Sequence, residues 1–152
     1  PMICADGNER TLHNSFMHGT SVFTFTISDV PKAIRDFLSL TGTTVDDYDC
    51  FSFHQANLYI LKQIAKKLRI PPEKIPLSLS SYGNTSGGSP ALTLCNSYGQ
   101  SEGKTLRVLF CAFGVGLSWG VSSATIDTSN IMPIIEDDSI FEEGIINTPL
   151  EV

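Results

Sequence analysis

Short apolar segments alternate with amphipathic helical segments along this chain, and this alternation constrains the fold more than any other feature. Runs rich in apolar and β-branched residues predict strands at 22–27, 49–54, 75–80, 106–113 and 118–126. Apolar residues three and four positions apart predict helices over about 31–41, 57–68 and 90–97. Because strands and helices take turns, we expect an α/β fold in which helices pack on a mixed sheet.

The segment at 22–27 has two interpretations. Its strict alternation favours a strand, although a helix that begins here also fits the pattern. In the strand interpretation Asp29 caps the following helix, Pro31 occupies its first turn, and Gly42 ends it.

Charge is distributed unevenly around the net value of −6. Residues 128–152 contain six acidic residues and no Lys or Arg, whereas residues 1–127 contain ten acidic and ten basic residues. A neutral body argues against binding nucleic acid through its phosphates. One local basic cluster exists around the second helix, namely Lys62, Lys66, Lys67, Arg69 and Lys74.

The chain's length and composition predict one domain with two flanking segments. We expect an irregular lead-in at 1–20, the domain at 21–127, and an acidic, partly apolar extension at 128–152 that packs on this domain or on another chain. The sequence has no membrane-spanning run and no signal peptide, so we expect a soluble, cytoplasmic protein with no membrane contact. The four cysteines lack metal-ligand spacing, which predicts reduced thiols and no metal.

Three polar or glycine-rich loops follow predicted strands, where α/β sheets collect their active-site groups. They are His54-Gln55-Ala56-Asn57, Tyr82-Gly83-Asn84-Thr85-Ser86 and Ala112-Phe113-Gly114-Val115-Gly116. An imidazole, an amide and exposed backbone N–H groups could together stabilise a developing oxyanion. The residues alone also fit a buried histidine and a turn-forming asparagine.

These three loops, together with Trp119-Gly120, resemble the C-terminal half of β-ketoacyl-acyl-carrier-protein synthase III, a thiolase-like condensing enzyme. The resemblance covers about residues 16–126 and implies decarboxylative Claisen condensation without a cofactor, with acyl-coenzyme A and malonyl-acyl carrier protein as substrates. It implies that His54 and Asn84 are catalytic, both donating hydrogen bonds to the malonyl thioester oxygen. It also implies an oxyanion turn, with Val115 as the main N–H donor, formed by Phe113, Gly114, Val115 and Gly116.

The resemblance further implies that the helix after His54 docks an acidic acyl carrier protein. The residues concerned are Gln55, Ala56, Asn57, Leu58, Tyr59, Lys66 and Lys67, although a solvated helix face explains the lysines equally well. Tyr59 stands where the family usually has Arg, and Thr24 where it usually has Lys, which leaves open a different acyl donor or carrier. A homodimer is the implied state of the complete protein.

No cysteine of this chain matches the family's nucleophile, which lies in the N-terminal half. Cys50 and Cys111 fall inside predicted strands and are expected to be core residues. Because the nucleophile is missing, we expect half of an active site: the chain is either an excised C-terminal domain or the partner of a separately made N-terminal thiolase half. The start at Pro1 rather than Met also suggests a longer gene product.

Two alternatives compete with this interpretation. Gly116-Leu117-Ser118-Trp119-Gly120 matches the G-x-S-x-G pattern of serine hydrolases, but β-branched residues follow and no histidine lies downstream. The chain could instead be a non-catalytic scaffold that keeps the thiolase-like fold and binds a partner through its extension. Such a scaffold needs neither His54 nor Asn84.

Overall fold

The structure is a computed structural model that describes residues 2–5, 7–11, 13–14 and 17–139. A two-residue ladder, β1 (Met2–Ile3) with β2 (Glu9–Arg10), opens the chain. The main body comprises α1 (Gly19–Thr41), β3 (Cys50–Phe53), α2 (Leu58–Leu68), α3 (Leu79–Tyr82), α4 (Ser89–Tyr98), β4 (Thr105–Gly114) and β5 (Ser118–Asp127). The expected irregular lead-in at 1–20 therefore contains a short ladder, and its last two residues belong to α1.

The sheet of the main body has the order β3-β4-β5. β3 is parallel to β4, and β5 is antiparallel to it. Side chains alternate between the two faces of each strand. One face packs against α1 and α2 through the larger core cluster, and the other contacts α4 through a smaller cluster. The mixed α/β architecture expected from the sequence is confirmed.

Helix α1 contradicts the predicted strand at 22–27, which lies entirely within it. Phe25, Val30, Ile34 and Leu38 are buried on one face of this helix, and their packing on the core outweighs the β propensity of the alternating segment. The predicted cap and first turn are also wrong, because Pro31 lies in the helix interior. The predicted end of this helix at Gly42 is confirmed, because Gly42 is its C-cap residue.

The segment 75–80 does not form the predicted strand. Its backbone is bound by a side chain instead of a neighbouring strand: the Gln55 amide donates to the Pro76 carbonyl (3.4 Å) and accepts from the Ser78 N–H (3.2 Å). Leu79 and Ser80 already belong to α3. The predicted helices at 57–68 and 90–97 and the remaining strands are confirmed to within two residues.

Part of the acidic extension packs back on the domain. Thr128 is buried, its N–H donates to the Lys104 carbonyl (2.9 Å), and its hydroxyl donates to the Glu102 carbonyl (2.9 Å). Farther along, the backbone of Met132 and Pro133 lies so close to Gly99 that a Cβ there would sit 2.5 Å from Pro133 Cα. We call residues 128–136 the strap. The apolar residues expected to pack from Ile140 onward lie outside the described residues.

Candidate active site

His54 follows directly after β3 and extends its pairing with β4, since its N–H donates to the Cys111 carbonyl (2.8 Å). Its side chain is only 8% exposed and packs edge-on against Phe113, with ring centroids 5.0 Å apart. Pairing with β4 therefore fixes the backbone of His54. Phe113, near the end of β4, packs against one side of the imidazole ring.

A hydrogen bond defines the protonation of this ring. His54 Nδ1 lies 2.8 Å from the Ser86 carbonyl oxygen. A carbonyl has no proton to give, so Nδ1 carries the proton and Nε2 of the neutral ring presents a lone pair. Burial lowers the pKa of His54, while the bond to Ser86 acts in the opposite direction. The expected donor at the reacting oxygen is therefore available from Nε2 only in the imidazolium form.

Asn84 lies in the loop after α3 and is exposed. Its Oδ1 accepts a hydrogen bond from the Ser86 N–H (3.0 Å), which forms a local Asx turn. With the oxygen engaged as an acceptor, Nδ2 is the donor end of the amide. Asn84 can therefore donate to an oxyanion at any working pH.

The backbone of Ser86 is the common support of both residues. Its carbonyl holds His54 and its N–H holds Asn84, and it adopts a φ of +53° that is rare outside glycine. The hydroxyl of the fully buried Ser89 also donates to the Ser86 carbonyl (2.7 Å), and Thr85 donates to Ser89. Sequence reasoning missed Ser86 and Ser89, because main-chain anchoring leaves no sign in the residue types.

The predicted oxyanion turn joins β4 to β5. Gly116 and Leu117 both have positive φ, +80° and +48°, which folds the chain back sharply after Gly114. Val115 is 97% exposed at the apex. Phe113, near the end of β4, is buried against His54, so the turn that follows β4 lies close to the histidine that follows β3.

The structure separates the predicted docking residues into two groups. Gln55 is fully buried and binds the 76–78 segment, so its side chain cannot contact a docked partner; Ala56 is half-buried. Asn57 caps α2 by accepting from the Ile60 N–H (2.8 Å). Lys67 donates to the Ile27 carbonyl of α1 (2.5 Å).

Apart from Gln55 and Ala56, all of the predicted docking residues are exposed, Asn57 and Lys67 included. Leu58, Tyr59 and Lys66 are exposed, and Tyr59 stacks on Phe23 with ring centroids 5.8 Å apart. The exposed Lys62 lies one turn before Lys66 on the same helix face. The i, i+4 spacing of two exposed lysines could have identified Lys62 as part of this surface.

None of the described cysteines is bonded to another, as expected from their spacing. Cys50 and Cys111 are fully buried, and burial raises the pKa of their thiols to about 11 and about 12. They remain protonated at neutral pH and are core residues, as predicted.

Ser118 does not form the nucleophile elbow of a hydrolase. It is the first residue of β5, so a strand follows it where the elbow needs a helix, and its hydroxyl donates to the Val115 carbonyl (2.8 Å). The serine hydrolase alternative is therefore wrong.

A mixed sheet with helices on both faces, and a histidine and an asparagine both anchored on Ser86 beyond its strands, define a thiolase-like half-domain. A family profile described as 3-oxoacyl-[acyl-carrier-protein (ACP)] synthase III C terminal matches residues 38–126. The chain belongs to this family.

Individual relatives agree with the family match. The chain is 40% identical over 113 residues to a β-ketoacyl-[acyl-carrier-protein] synthase III of Streptococcus gordonii, covering 72% of the chain and 35% of the relative. A 3-oxoacyl-(acyl-carrier protein) synthase structure from Burkholderia xenovorans is similar with a TM-score of 0.74 and 39% identity, covering 80% of the chain and 35% of that structure. The structure of the priming β-ketosynthase of the R1128 polyketide pathway is similar with a TM-score of 0.66 and 31% identity. The match covers 78% of this chain and 34% of that structure. The chain thus spans about a third of the length of these proteins.

Proposed function

We propose that this chain supplies the decarboxylation half of an active site for condensing an acyl thioester with a malonyl thioester. The observation that carries the proposal is the joint anchoring of His54 and Asn84 on the backbone of Ser86. The two peptide units that meet at the Ser86 Cα set the spacing of two side chains that a scaffold would not need. The nucleophilic cysteine comes from an N-terminal thiolase half.

The proposed reaction breaks the bond between the malonyl carboxylate and its neighbouring carbon, and the electron pair forms an enolate on the thioester. Asn84 Nδ2 donates to the developing enolate oxygen. His54 Nε2 donates to it when the ring is the imidazolium, whose charge the Ser86 carbonyl helps to stabilise through Nδ1. These bonds strengthen as charge develops, so they favour the transition state over the bound substrate.

The enolate carbon then attacks the acyl carbonyl on the cysteine, and the cysteine thiolate leaves. The backbone N–H of Val115, a highly exposed residue at the turn after β4, is the proposed donor to the second oxyanion. Phe113, Gly114 and Gly116 shape this turn, and no cofactor takes part in either step.

An incompletely covered sheet face supports the proposed N-terminal half. On the face that carries α4, Phe110 and Ala112 of β4 are partly exposed, and their neighbours Ser122 and Gly120 on β5 are exposed. A sheet of this kind normally has helices over its whole width. We propose that the N-terminal half covers this strip, and that the complete protein is a homodimer.

Acyl carrier protein and coenzyme A thioesters are the proposed partners. Lys66 and Lys62 offer positive charge to an acidic carrier, and Leu58 and Tyr59 offer apolar contact beside them. We propose a cytoplasmic location, supported by the four free cysteines. No helix in the described part of the chain is long and apolar enough to cross a membrane. We retain 1–20, 21–127 and 128–152 as the proposed division of the chain.

The test uses the complete protein, with its N-terminal half. His54→Ala and Asn84→Ala should each lower malonyl decarboxylation by about 10²–10³-fold, the usual loss for one oxyanion donor, while acylation of the cysteine by acyl-coenzyme A continues. Radiolabelled carbon dioxide release and acyl-enzyme mass spectrometry measure the two steps. The exposed His13 and Asn130 supply matched alanine controls. If both site variants condense at the normal rate, the proposed function is wrong.

A further inference from the structure

Gln55 has a fully buried side-chain amide that the proposed reaction does not use. Its Nε2 donates to the carbonyls of Phe53 (3.1 Å) and Pro76 (3.4 Å). Its Oε1 accepts from the Ser78 N–H (3.2 Å). Burying an amide is unfavourable unless its polar atoms are bonded, and here both of them are. Gln55 therefore ties the chain just after β3 to the backbone of Pro76 and Ser78.

Ser78 is connected to Asn84 through α3. It is the N-cap residue of this helix, which is a single turn. The Tyr82 N–H donates to the Ser78 carbonyl (2.9 Å) and closes the turn, and Gly83 then leads into Asn84. Four helical residues span only about 6 Å. A shift of Ser78 would therefore displace Asn84 as well.

Asn84 is thus held from both sides. On its C-terminal side, the Ser86 N–H binds Asn84 Oδ1 and the Ser86 carbonyl binds His54. On its N-terminal side, α3 connects Asn84 to Ser78, which binds Gln55. Two consecutive residues after β3, His54 and Gln55, therefore attach both ends of the segment that carries Asn84.

We propose that Gln55 is a positioning residue, which holds Asn84 at the distance from His54 that decarboxylation requires. Because its side chain is fully buried, Gln55 acts through Asn84 and not on the substrate. The inference deepens the proposed function and rests on it. An apolar side chain of similar length could fill the same space, but it would leave the Ser78 N–H unbound and α3 free to shift.

Gln55→Met keeps the length of the side chain, removes its polar atoms and tests this role in the complete protein. We expect kcat for malonyl decarboxylation to fall by about 10–100-fold, since a misplacement of about 1 Å can cost about 100-fold. Acylation of the cysteine should continue. Thr128→Val is the matched control, because it also removes the hydrogen bonds of a buried side chain, and it should leave decarboxylation unchanged.

Two backgrounds separate positioning from general support of the site. In an Asn84→Ala protein, Gln55→Met should lower decarboxylation no further, because the group that Gln55 positions is absent. In a His54→Ala protein, the full loss should remain. An undiminished loss in the Asn84→Ala background would overturn the proposal.

Gln55→Glu provides a conservative variant and replaces Gln55→Met if the latter does not fold. A protonated carboxyl has an O–H donor for the Pro76 carbonyl and an acceptor for the Ser78 N–H, whereas a carboxylate has no donor. Burial favours the protonated form. Relative to the parent at the same pH, Gln55→Glu should therefore decarboxylate better near pH 6 than near pH 8. A relative rate that does not change with pH would contradict the role of the amide.

Amide exchange, measured by NMR on this chain, reports the geometry without the reaction. The Ser86 N–H is bonded to Asn84, so Gln55→Met should speed its exchange, whereas Thr128→Val should not. If Asn84→Ala itself condenses at the normal rate, the proposed function is wrong, and faster Ser86 exchange would still show that Gln55 positions Asn84. If Asn84→Ala loses decarboxylation but Gln55→Met changes neither the rate nor the exchange, the proposed function stands and the positioning role is wrong.

Discussion

At the scale of single residues, Ser86 acts through its backbone rather than its side chain. Its carbonyl and N–H hold His54 and Asn84, and its φ of +53° is the conformation that points both groups at them. The sequence identified the two side chains from their types and spacing. It could not identify their support, since any residue has a carbonyl and most have an N–H.

Two substitutions separate the backbone of Ser86 from its hydroxyl. Ser86→Gly keeps both anchors and accepts positive φ, so we expect stability within about 1 kcal/mol of the parent and normal decarboxylation by the complete protein. Ser86→Pro removes the N–H and cannot adopt this φ, so we expect a loss of about 2–3 kcal/mol and of decarboxylation. Urea unfolding and carbon dioxide release measure the two effects. Full decarboxylation by the proline variant would show that Ser86 does not support Asn84.

His54 should make stability depend on pH. Its pKa in the folded chain is lowered, chiefly by burial, below the value of about 6.5 expected when unfolded. Between these two pKa values the unfolded chain binds a proton that the folded chain does not. The stabilisation is therefore complete above about pH 6.5 and is lost as pH falls through the folded pKa.

Urea unfolding at a series of pH values between about 8 and 5 measures this dependence, at most about 1.4 kcal/mol per pH unit for one proton. His54→Gln removes the titrating group and should flatten the curve in this range. An equal slope in parent and variant would contradict the assignment to His54.

At the scale of elements, α1 and α2 are joined at a proline. Pro31 lies inside α1 and has no N–H for the Ile27 carbonyl four residues before it. The Lys67 ammonium of α2 donates to that carbonyl (2.5 Å). Lys67 therefore joins the two helices, and its expected role in docking a partner stays a prediction.

A double-mutant cycle tests this role of Lys67. Lys67→Met should destabilise the chain by about 1 kcal/mol, because it leaves the Ile27 carbonyl without its charged donor. In a Pro31→Ala background the new N–H supplies that carbonyl, so the same change should cost much less. Chemical denaturation of the four chains gives the coupling, and Lys66→Met is the control. Equal costs in both backgrounds would show that Lys67 does not compensate for the proline.

At the scale of the whole molecule, the strap ties the extension beyond the family match to the domain. The family profile ends at residue 126, and the strap begins with the buried Thr128. It then crosses Gly99, where only the lack of a side chain allows Met132 and Pro133 to approach. The sequence predicted that this extension packs, but it left open whether it packs on this domain or on another chain.

Gly99→Ala should displace the strap, because the added Cβ would lie 2.5 Å from Pro133 Cα and 2.7 Å from the Met132 carbonyl oxygen. We expect faster proteolytic cleavage after residue 127 and a loss of about 1–3 kcal/mol in chemical denaturation. Gly120→Ala, with open space around its Cβ, is the matched control. Unchanged cleavage in the Gly99 variant would mean that the strap does not seat there.

The sequence by itself determined the α/β architecture, most element boundaries and the candidate residues His54 and Asn84, because periodicity and the residue types of the loops are local properties of the chain. It failed at 22–27 and 75–80, where packing on the core and the Gln55 amide replaced the expected sheet pairing. The tautomer of His54, the role of Ser86, the burial of Gln55 and the path of the strap were decided only in the tertiary structure. Each of them depends on a contact between residues distant in sequence or on backbone geometry, neither of which residue types encode.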